Sequence, residues 1–480
     1  MSRTSPAAST LPDDARVTRM LADVVGRPFW LDRDDLGLGD PQPALRGRHE
    51  ADLVVVGAGF TGLWAAHHAL DRDPGRDVLV LDASGPGDGA SGRNGGFCDA
   101  SITHGAANGL ARWPDEYGTL HRLGNENLRG LIDDLDRFGV DAAWEPVGEL
   151  DAATADWQLA DLHHHAQVLR DVGEDIEEFD REGVQQLVAS PTYVGGVLRR
   201  SNVGLVDPGR LVAGLRASLL SRGGRLADHT PVTGLSKDGS GVRVDGPGVS
   251  VGARQVLLAT NAFPGLLAPL RRAVVPVYDH VLVTEPLTPE QRRALRWSGR
   301  HGVADSANQF HYLRLTPDDR VLWGGYDALY RFGGPIGPSV ERNEPTERLL
   351  AAQLLDTFPQ LEGIRISHTW GGPIATTTRF CMTAGTRWDG RVAWCIGYTG
   401  LGVGASRFGG RVAVDLLTGT RDERTTLSMI RDAPFPWPPE PVRWAGITLT
   451  RRAIARADRC QGRRGPWLRL LDRLGLGFDS

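Results

Sequence analysis

The sequence predicts an α/β fold built from two domains whose segments alternate along the chain. Three observations support this prediction. The chain has 480 residues, which is more than one ordinary hydrophobic core accommodates. Residues 51–83 carry a buried strand, a helix and a second buried strand in close succession. Farther along, helix-rich segments alternate with a β-rich, aromatic segment at about 275–335, and the sequence has no internal repeat.

The composition is that of a globular protein with no general attraction to nucleic acid. Hydrophobic residues make up 41% and charged residues 24% of the chain, and the net charge is −5. The longest uncharged apolar stretch, Leu53–Ala66, is too short to span a membrane. The segment MSRTSPAASTLPDDARVTRM lacks the apolar core of a secretory signal. These features predict a cytoplasmic protein that binds neither nucleic acid nor a membrane, and they leave its oligomeric state open.

The cysteines and histidines predict no metal site. The four cysteines lie far apart, without the paired spacing of zinc ligands or of a redox-active pair, which suits a reducing compartment. The adjacent histidines 163–165 would point in different directions on a helix, so they are interpreted as a solvated surface. Lys237 is the only lysine among 54 basic residues and lies in a turn-like segment, so lysine chemistry is nearly excluded from an active site.

Regular structure is predicted to begin after an irregular arm at residues 1–50. Leu53–Val56 is a short apolar run that suits a strand buried on both faces. A helix follows from Thr61 to about Asp73, and Val78–Leu81 forms a second buried strand. The three elements make one βαβ unit of about 30 residues.

The turn between this strand and helix carries Gly57-x-Gly59-x-x-Gly62. Gly57 allows a tight turn, Gly59 lets backbone N–H groups approach a pyrophosphate, and Gly62 lets the helix pack closely on the strand. Asp82 ends the second strand, where a carboxylate accepts hydrogen bonds from ribose hydroxyls and repels a 2′-phosphate. In this context the motif favours FAD or NAD over NADP.

A second glycine-rich segment, GASGRNGGF at residues 89–97, favours FAD over NAD. A nicotinamide site does not require such a loop directly after Asp82. The flavin ring of FAD must lie against backbone that donates hydrogen bonds to it, and glycine permits that close approach. Ser91 and Arg93 are placed to reach the phosphates or the ribityl chain.

The rest of the chain continues the alternation. Residues 110–200 carry apolar residues at helical spacing, and a further helix begins near Pro208 and ends before Gly223. The later predicted elements are strands at 242–244 and 256–259, the β-rich segment at 275–335, a helix at about 346–357, and a strand, glycine turn and helix within 391–419.

Five segments carry a resemblance to a known family: VVVGAGFTGLWAAHHAL, GASGRNGGF, GLVDPGRLVAGL, VLLATNAF and GYTGLGVGASRFGGRVAVDLL. They resemble the D-amino-acid oxidase/glycine oxidase (DAO) family of FAD-dependent amine oxidoreductases, and most closely its γ-glutamylputrescine oxidoreductase-like branch. The resemblance covers residues 28–480.

The resemblance implies a glycine/sarcosine oxidase-like fold, in which a Rossmann-like FAD-binding domain is interleaved with a β-rich, α+β substrate domain. The implied segments are 1–50 for the N-terminal arm, 51–110, 200–274 and 366–425 for the FAD-binding domain, 111–199 and 275–365 for the substrate domain, and 426–480 for a C-terminal tail packing on the FAD-binding domain.

It also implies the site residues, position by position. The implied FAD contacts are Gly57, Gly59, Phe60, Thr61, Gly62, Asp82, Ala83, Ser91, Gly92, Arg93, Asn94, Gly95, Gly96, Phe97, Val232, Ala259, Thr260, Gly400, Leu401, Gly402 and Val403. The implied candidates for substrate binding and catalysis are His280, Tyr312, Trp323, Tyr326 and Tyr398, with His104 as a further pocket residue.

Three departures from the sarcosine oxidase relatives qualify the resemblance. Gly404 stands where they have a lysine that binds the substrate carboxylate, and Trp323 where a lysine promotes the reaction with oxygen. These two departures argue against an α-amino-acid substrate and against fast use of O2. An arginine or a protonated histidine such as His280 is the alternative source of positive charge near the flavin.

The third departure concerns the link to FAD. The cysteine that tethers flavin in those relatives falls near Gly371-Gly372, which predicts noncovalent FAD. Cys381 and Cys395 lie close by in the sequence and are the alternative tethers.

These observations predict FAD-dependent oxidation of a small primary or secondary amine by hydride transfer to flavin N5. The imine hydrolyses, and O2 or another acceptor reoxidises the flavin. The alternatives are a flavin-dependent hydroxylase and a non-catalytic flavin-binding protein. The hydroxylase is disfavoured because the turn CIGYTGLG lacks the aspartate expected there.

Overall fold

The computed structural model describes residues 14–33, 41–263 and 265–477, so parts of the predicted arm and the last three residues of the predicted tail lie outside the described residues. The described residues form eighteen strands and fifteen helices. The strands are β1 (Gly47–Val56), β2 (Val78–Leu81), β3 (Phe97–Asp99), β4 (Glu149–Ala153), β5 (Ile176–Phe179), β6 (Gly195–Arg199), β7 (Val203–Leu205), β8 (Arg225–Ala227), β9 (Gly234–Asp238), β10 (Gly241–Gly246), β11 (Val249–Leu258), β12 (Val275–Thr284), β13 (Gly302–Asp305), β14 (His311–Leu315), β15 (Val321–Gly325), β16 (Ile366–Thr376), β17 (Thr383–Arg387) and β18 (Val392–Ile396).

The helices are α1 (Ala15–Met20), α2 (Phe60–Arg72), α3 (Ala106–Arg112), α4 (Tyr117–Phe138), α5 (Leu159–Asp171), α6 (Arg181–Leu187), α7 (Pro208–Ser221), α8 (Pro289–Leu295), α9 (Pro338–Glu341), α10 (Glu344–Thr357), α11 (Ala405–Leu417), α12 (Glu423–Thr426), α13 (Ser428–Arg431), α14 (Val442–Arg459) and α15 (Pro466–Arg473). Within the described ranges, none of them combines the length and the apolarity that a bilayer span requires.

The first sheet has a parallel centre, in the strand order β18-β11-β1-β2-β8, with β17, β10 and β9 added antiparallel. The predicted βαβ unit is confirmed, since β1 and β2 pair in parallel and α2 crosses between them. All four residues of β2 are buried, as expected for a parallel strand covered on both faces.

Helices α2, α4, α7 and α11 cover one face of this sheet and share one core. The prediction that residues 111–199 belong to the substrate domain is therefore corrected for α4. Its apolar stripe, which includes Leu120, Leu131 and Leu135, packs against α2 and α11. The Asn127 amide also donates to the Gly404 carbonyl oxygen at 2.9 Å.

The second sheet has the strand order β16-β12-β15-β14-β13-β4-β6-β5. The sequence predicts that residues 366–376, which form β16, belong to the FAD-binding segment 366–425, and the structure corrects that boundary. It pairs antiparallel with β12 from Val275↔Thr376 to Thr284↔Ile366, so it belongs to the β-rich domain. The FAD-binding segment resumes after Thr376.

The two faces of the second sheet have different neighbours. On one face, Leu282 and Trp323 pack against Leu350 and Phe358 of the region around α10. We call this the α10 face. On the other face, Val281, Leu322 and Trp370 pack with Phe29 and Trp30 of the arm. We call this the cavity face, because Val281 and its neighbours also line the central cavity.

The C-terminal segment contacts both domains, which corrects the prediction that it packs on the FAD-binding domain. The beginning of the segment contacts the FAD-binding domain, as predicted: the Arg379 guanidinium of that domain donates to the Asp432 carbonyl oxygen at 2.8 Å. Helix α14, in contrast, contacts loops of the second sheet. Asp458 accepts hydrogen bonds from the Asn308 and Gln309 N–H groups, both at 3.0 Å.

Candidate functional site

A cavity of about 2420 Å³ lies between the carboxyl ends of the first sheet's parallel strands and the cavity face of the second sheet. Most of the predicted site residues line it. Gly62, Gly92, His280 and Trp323 do not. The predicted residues that line it are Gly57, Gly59, Phe60, Thr61, Asp82, Ala83, Ser91, Arg93, Asn94, Gly95, Gly96, Phe97, Val232, Ala259, Thr260, Tyr312, Tyr326, Tyr398, Gly400, Leu401, Gly402 and Val403, together with His104.

The turn from β1 to α2 has no room for side chains. Gly57 has φ +104°, and a Cβ there would lie 2.7 Å from the Ala259 carbonyl oxygen. A Cβ on Gly62 would lie 1.8 Å from the Gly57 carbonyl oxygen. Gly59 is the N-cap of α2 and supplies no side-chain cap. Apart from the Phe60 N–H, which donates to the Ser91 Oγ at 2.9 Å, the first turn of the helix faces the cavity with N–H groups and a positive dipole end that suit a pyrophosphate.

Asp82 lies beside this turn, and its carboxylate already accepts two hydrogen bonds from backbone N–H groups. Its Oδ2 accepts from the Ala58 N–H at 2.6 Å and its Oδ1 from the Ser84 N–H at 2.9 Å. Burial raises the pKa of Asp82, while these two N–H groups act in the opposite direction. A carboxylate has about four acceptor sites, so capacity for ribose hydroxyls remains.

The glycines of the loop 89–97 make room mainly for protein atoms. A Cβ on Gly92 would lie 2.8 Å from Leu31 of the arm, and one on Gly95 would lie 2.8 Å from the Tyr312 ring. Gly96 has φ +79°, and its Cβ would lie 2.3 Å from the Val206 carbonyl oxygen. The interpretation that these glycines serve the flavin is therefore corrected for Gly92, which packs against the arm.

Two tryptophans and one salt bridge hold this loop in place. The Trp30 Nε1–H donates to the Asn94 carbonyl oxygen at 2.8 Å, and the Trp370 Nε1–H donates to the Arg93 carbonyl oxygen at 2.8 Å. The Arg93 guanidinium pairs with Glu341 at 2.8 Å. The Asn94 amide donates back to the Ser91 carbonyl oxygen at 2.8 Å. The side chains of Arg93 and Asn94 thus shape the loop, which corrects the expectation that Arg93 reaches the phosphates or ribityl chain.

The Ser91 hydroxyl also acts within the protein. Its Oγ accepts from the Phe60 N–H at 2.9 Å and so joins the loop to the first turn of α2. Near the other end of the chain, Tyr398 accepts from the Thr61 hydroxyl at 2.7 Å, and its oxygen lies 3.3 Å from the Cys395 sulfur. The Tyr398 hydroxyl is therefore held in the core between β18 and α2, although the residue also lines the cavity, and its catalytic role stays a prediction.

The structure gives a physical reason for the missing lysine at position 404. A Cβ on Gly404 would lie 2.3 Å from the Asp99 carbonyl oxygen, so no side chain fits. Cys381 and Cys395 are buried and lie outside the cavity lining. Burial raises their pKa to about 11 and about 12, so both thiols stay protonated at neutral pH.

His280 and Trp323 lie on the α10 face of the second sheet, which corrects their assignment to the catalytic site. The Trp323 ring stacks on His311 at 4.5 Å and meets the Phe358 ring edge-on at 6.3 Å. His280 is fully buried, and burial lowers its pKa to about 4, so it is neutral at pH 7. Neither side chain supplies positive charge to the cavity.

Asp279 is a cavity residue that sequence reasoning missed. The Tyr312 hydroxyl donates to its Oδ2 at 2.5 Å, and the Tyr312 ring meets Phe97 edge-on at 5.9 Å. Tyr326 lies at the rim with φ +68° and stacks on His311 at 5.2 Å. The signal available in the sequence was the alternation along β12, which places residues 277, 279 and 281 on one face.

The cavity wall also carries Arg199 among three carboxylates, Asp99, Glu149 and Asp151. Arg199 bonds to Asp99 and pairs with Glu149 at 2.9 Å. Burial, partly offset by Arg199, raises the pKa of Glu149 to about 7 and that of Asp151 to about 6. His104 lies nearby, and burial lowers its pKa to about 4. The cluster was not predicted, because its members come from three separate segments.

Comparison with known proteins identifies this architecture. The family model "FAD dependent oxidoreductase" (DAO) matches residues 52–416. The chain is 31% identical over 393 residues to γ-glutamylputrescine oxidoreductase of Escherichia coli K12, covering 80% of this chain and 88% of the relative. It is 25% identical to glycine oxidase of Geobacillus kaustophilus over 312 residues, covering 62% of this chain and 79% of that protein.

Solved structures agree in fold. The crystal structure of the Geobacillus kaustophilus glycine oxidase superposes with a TM-score of 0.65 at 20% identity and covers 78% of this chain and 96% of that chain. NikD, an amino acid oxidase of nikkomycin biosynthesis, also gives a TM-score of 0.65 at 20% identity, covering 82% and 99%. The predicted fold class and FAD cofactor are thereby confirmed. The chain belongs to the DAO family and is an FAD-dependent oxidoreductase of the kind that acts on amines and amino acids.

Proposed function

We propose that the protein oxidises a small primary or secondary amine by hydride transfer to flavin N5. The imine product then hydrolyses to a carbonyl compound and an amine or ammonia, and O2 or another acceptor reoxidises the flavin. The observation that carries this proposal is a continuous cavity that joins the glycine turn at the start of α2 to the Asp279–Tyr312 pair. The names of the relatives, γ-glutamylputrescine oxidoreductase and glycine oxidase, support an amine as the reacting group.

Bound FAD supplies the two-electron acceptor, and the protein supplies positioning. The residues proposed to hold the pyrophosphate and ribose are Gly57, Gly59 and Asp82, whereas the loop 91–97 and the turn 400–403 would line the flavin. No covalent nucleophile is needed, because orientation and electrostatics can account for such catalysis. The buried, protonated thiols described above support noncovalent FAD.

The lining favours an amine without an adjacent carboxylate. At position 404 no cationic side chain fits, and the lining residues Arg93, Arg199, Arg443 and Arg451 are each paired with a carboxylate of the protein. Helix α14 contributes Arg443, Ile447 and Arg451 to the wall of the cavity, where they would restrict the access of water.

An anaerobic reduction experiment tests the proposal. The yellow holoprotein is mixed without oxygen with putrescine, γ-glutamylputrescine, benzylamine, glycine or sarcosine, and the flavin absorbance is followed. We expect putrescine, benzylamine or the terminal putrescine amine of γ-glutamylputrescine, none of which has a carboxylate beside the reacting amine, to bleach the flavin faster than glycine or sarcosine. Acid denaturation should release FAD into the supernatant.

Three outcomes would each contradict a part of the proposal. Bleaching by NADH or NADPH, with no effect of any amine, would favour the hydroxylase. A flavin that dithionite reduces but no amine or nicotinamide reduces would indicate a binding protein. Colour that stays with the precipitated chain would contradict noncovalent FAD.

A further inference from the structure

Asp279 and Tyr312 form a hydrogen-bonded pair although one strand lies between the strands that carry them. Tyr312 lies on β14 and Asp279 on β12, and β15 runs between them. Gly324 of β15 is the register partner of Tyr312. A Cβ on Gly324 would lie 2.5 Å from Cζ of Tyr312, so only glycine lets the ring lie across β15 and reach the carboxylate.

The Asp279 carboxylate has hydrogen bonds but no ion pair. Its Oδ1 accepts from the His280 N–H at 2.8 Å, its Oδ2 accepts from the Tyr312 hydroxyl, and the Gly325 N–H also donates to it. Within the described part of the chain, no arginine, lysine or histidine forms a salt bridge with it. A buried anion without a cation is costly unless a ligand supplies the charge.

The pair lies beside the loop proposed to line the flavin. The Tyr312 ring lies 2.8 Å from an ideal Cβ on Gly95, and Asp279 itself lines the cavity. On β16, the register partner of Asp279 is Gly372, which also lines the cavity. The carboxylate thus belongs to the wall that a substrate must occupy to react with the proposed flavin site.

The charged and titratable groups that face Asp279 are few. They are Tyr312 from β14 and the Arg93–Glu341 pair behind Gly372. His311 of β14 lies on the α10 face, where it stacks on Trp323 and pairs with Asp305 at 2.6 Å. Burial raises the pKa of Asp279 to about 6 although the Tyr312, His280 and Gly325 hydrogen bonds act to lower it. The carboxylate is therefore ionised at pH 7.5 and can take up a proton close to neutral pH.

We propose that Asp279 binds the substrate as an ammonium ion and accepts its proton before the amine is oxidised, with Tyr312 as the positioning residue. This inference rests on the proposed function. One N–H bond of the ammonium breaks with its electron pair left on nitrogen, and an O–H bond forms on Asp279. No electrons leave the substrate in this step. The neutral amine, whose lone pair can stabilise the iminium product, is the species that then loses hydride.

The first test measures binding, independently of turnover. tert-Butylamine has no α-hydrogen and cannot be oxidised to an imine, and tert-butanol has the same shape without the charge. Each is titrated into the holoprotein, and perturbation of the flavin absorbance is followed from pH 5 to pH 9. We expect the affinity for tert-butylamine to rise as Asp279 ionises, and to fall about tenfold or more in Asp279→Asn. Binding of tert-butanol should not change.

The second test measures anaerobic flavin reduction by the best amine of the panel. Asp279→Asn should slow reduction by about 10²–10⁴-fold, in the range of lost general-base catalysis. Tyr312→Phe keeps the carboxylate but removes a hydrogen bond that favours its ionised form, so the midpoint of the pH–rate profile should move to higher pH. A merely structural role of Tyr312 would not shift this midpoint.

Asp318→Asn is the matched control, because Asp318 lies on the β14–β15 turn outside the cavity lining and pairs with Arg320. The proposal is overturned if Asp279→Asn retains FAD, binds tert-butylamine within about twofold of wild type and is reduced as fast. If no amine reduces the wild-type flavin, the proposed function fails. The tert-butylamine titration then still decides whether Asp279 binds a cation.

Discussion

The two ends of the cavity are built in different ways. At one end, which we call the nucleotide end because the proposed FAD contacts lie there, two short segments of the chain, 57–61 and 89–97, contribute backbone and glycines to the lining. At the other end, which we call the substrate end after the proposed function, side chains pair between β4 and β6 and between β12 and β14 although they are far apart in sequence. A cofactor that is the same throughout a family can be held by backbone, whereas a substrate that differs among relatives is met by exchangeable side chains.

The largest effect is expected from glycine substitutions at the nucleotide end, where retention of FAD should be lost. Gly62→Ala should abolish retention of FAD, because its Cβ would lie 1.8 Å from a backbone oxygen and force α2 away from β1. Gly59→Ala should weaken retention less, since its Cβ would meet only the movable Ser91 hydroxyl, at 2.8 Å. FAD content is measured from the ratio of flavin to protein absorbance after gel filtration.

Gly118→Ala is the control for this comparison. Gly118 is also a helical glycine, but nothing lies within 4 Å of its Cβ position. It should keep its FAD and gain up to about 1 kcal/mol in the free energy of unfolding. If Gly62→Ala retained as much FAD as the wild type, the close packing of backbone at the nucleotide end would not be needed to hold the cofactor.

A smaller effect is expected from substitution of Trp323, which tests which face of the second sheet belongs to the substrate end. Trp323→Lys would bury an ammonium group among Leu282, Leu350 and Phe358 on the α10 face. We expect the free energy of unfolding to fall by about 4 kcal/mol or more, measured by urea denaturation. Trp323→Phe, the control, should cost less and leave the flavin spectrum unchanged. A stable Trp323→Lys protein that reacts faster with O2 would instead place residue 323 beside the flavin.

The smallest expected effect concerns the pH dependence of the substrate end. The pKa of Glu149 is raised by burial to about 7, above its ordinary value of 4.5, so the folded state holds the proton more tightly than the unfolded state. This contribution to stability is present below about pH 4.5 and is lost as the pH rises through about 7. In Glu149→Gln, the difference in unfolding free energy between pH 5 and pH 8 should shrink by about 1–3 kcal/mol.

Urea denaturation at the two pH values measures this difference. Glu290→Gln serves as the comparison, since Glu290 is 74% exposed and should leave the difference unchanged. Equal pH dependence in wild type and Glu149→Gln would mean that Glu149 titrates alike in the folded and unfolded chain.

The architecture around the glycine turn could be predicted from the sequence because its parts are local. A strand, a glycine turn and a helix lie within residues 53–72, and Asp82 follows at the end of the next strand. The loop 89–97 was also recognised, but the protein partners of its glycines were not. Those partners, such as Leu31 and Tyr312, come from other parts of the chain and leave no local pattern.

The substrate end could not be predicted for a physical reason. Every residue of β15 is buried, because the sheet is covered on both faces. Without alternation between apolar and polar residues, the sequence does not reveal which face meets the cavity, so Trp323 was placed on the wrong one. Likewise, α4 follows the FAD-binding segment in the chain and was assigned to the next domain, although its apolar stripe packs back on the first sheet.

Biosynthesis imposes an order on the two tryptophan hydrogen bonds that hold the loop. Trp30 is synthesised 64 residues before Asn94, whereas Trp370 follows Arg93 after 277 residues. At about 5–20 residues per second, the second bond must wait roughly 10–60 s after the loop has been made. During that interval the nascent loop is held from one side only. The loop therefore reaches its final shape only after most of the chain has left the ribosome.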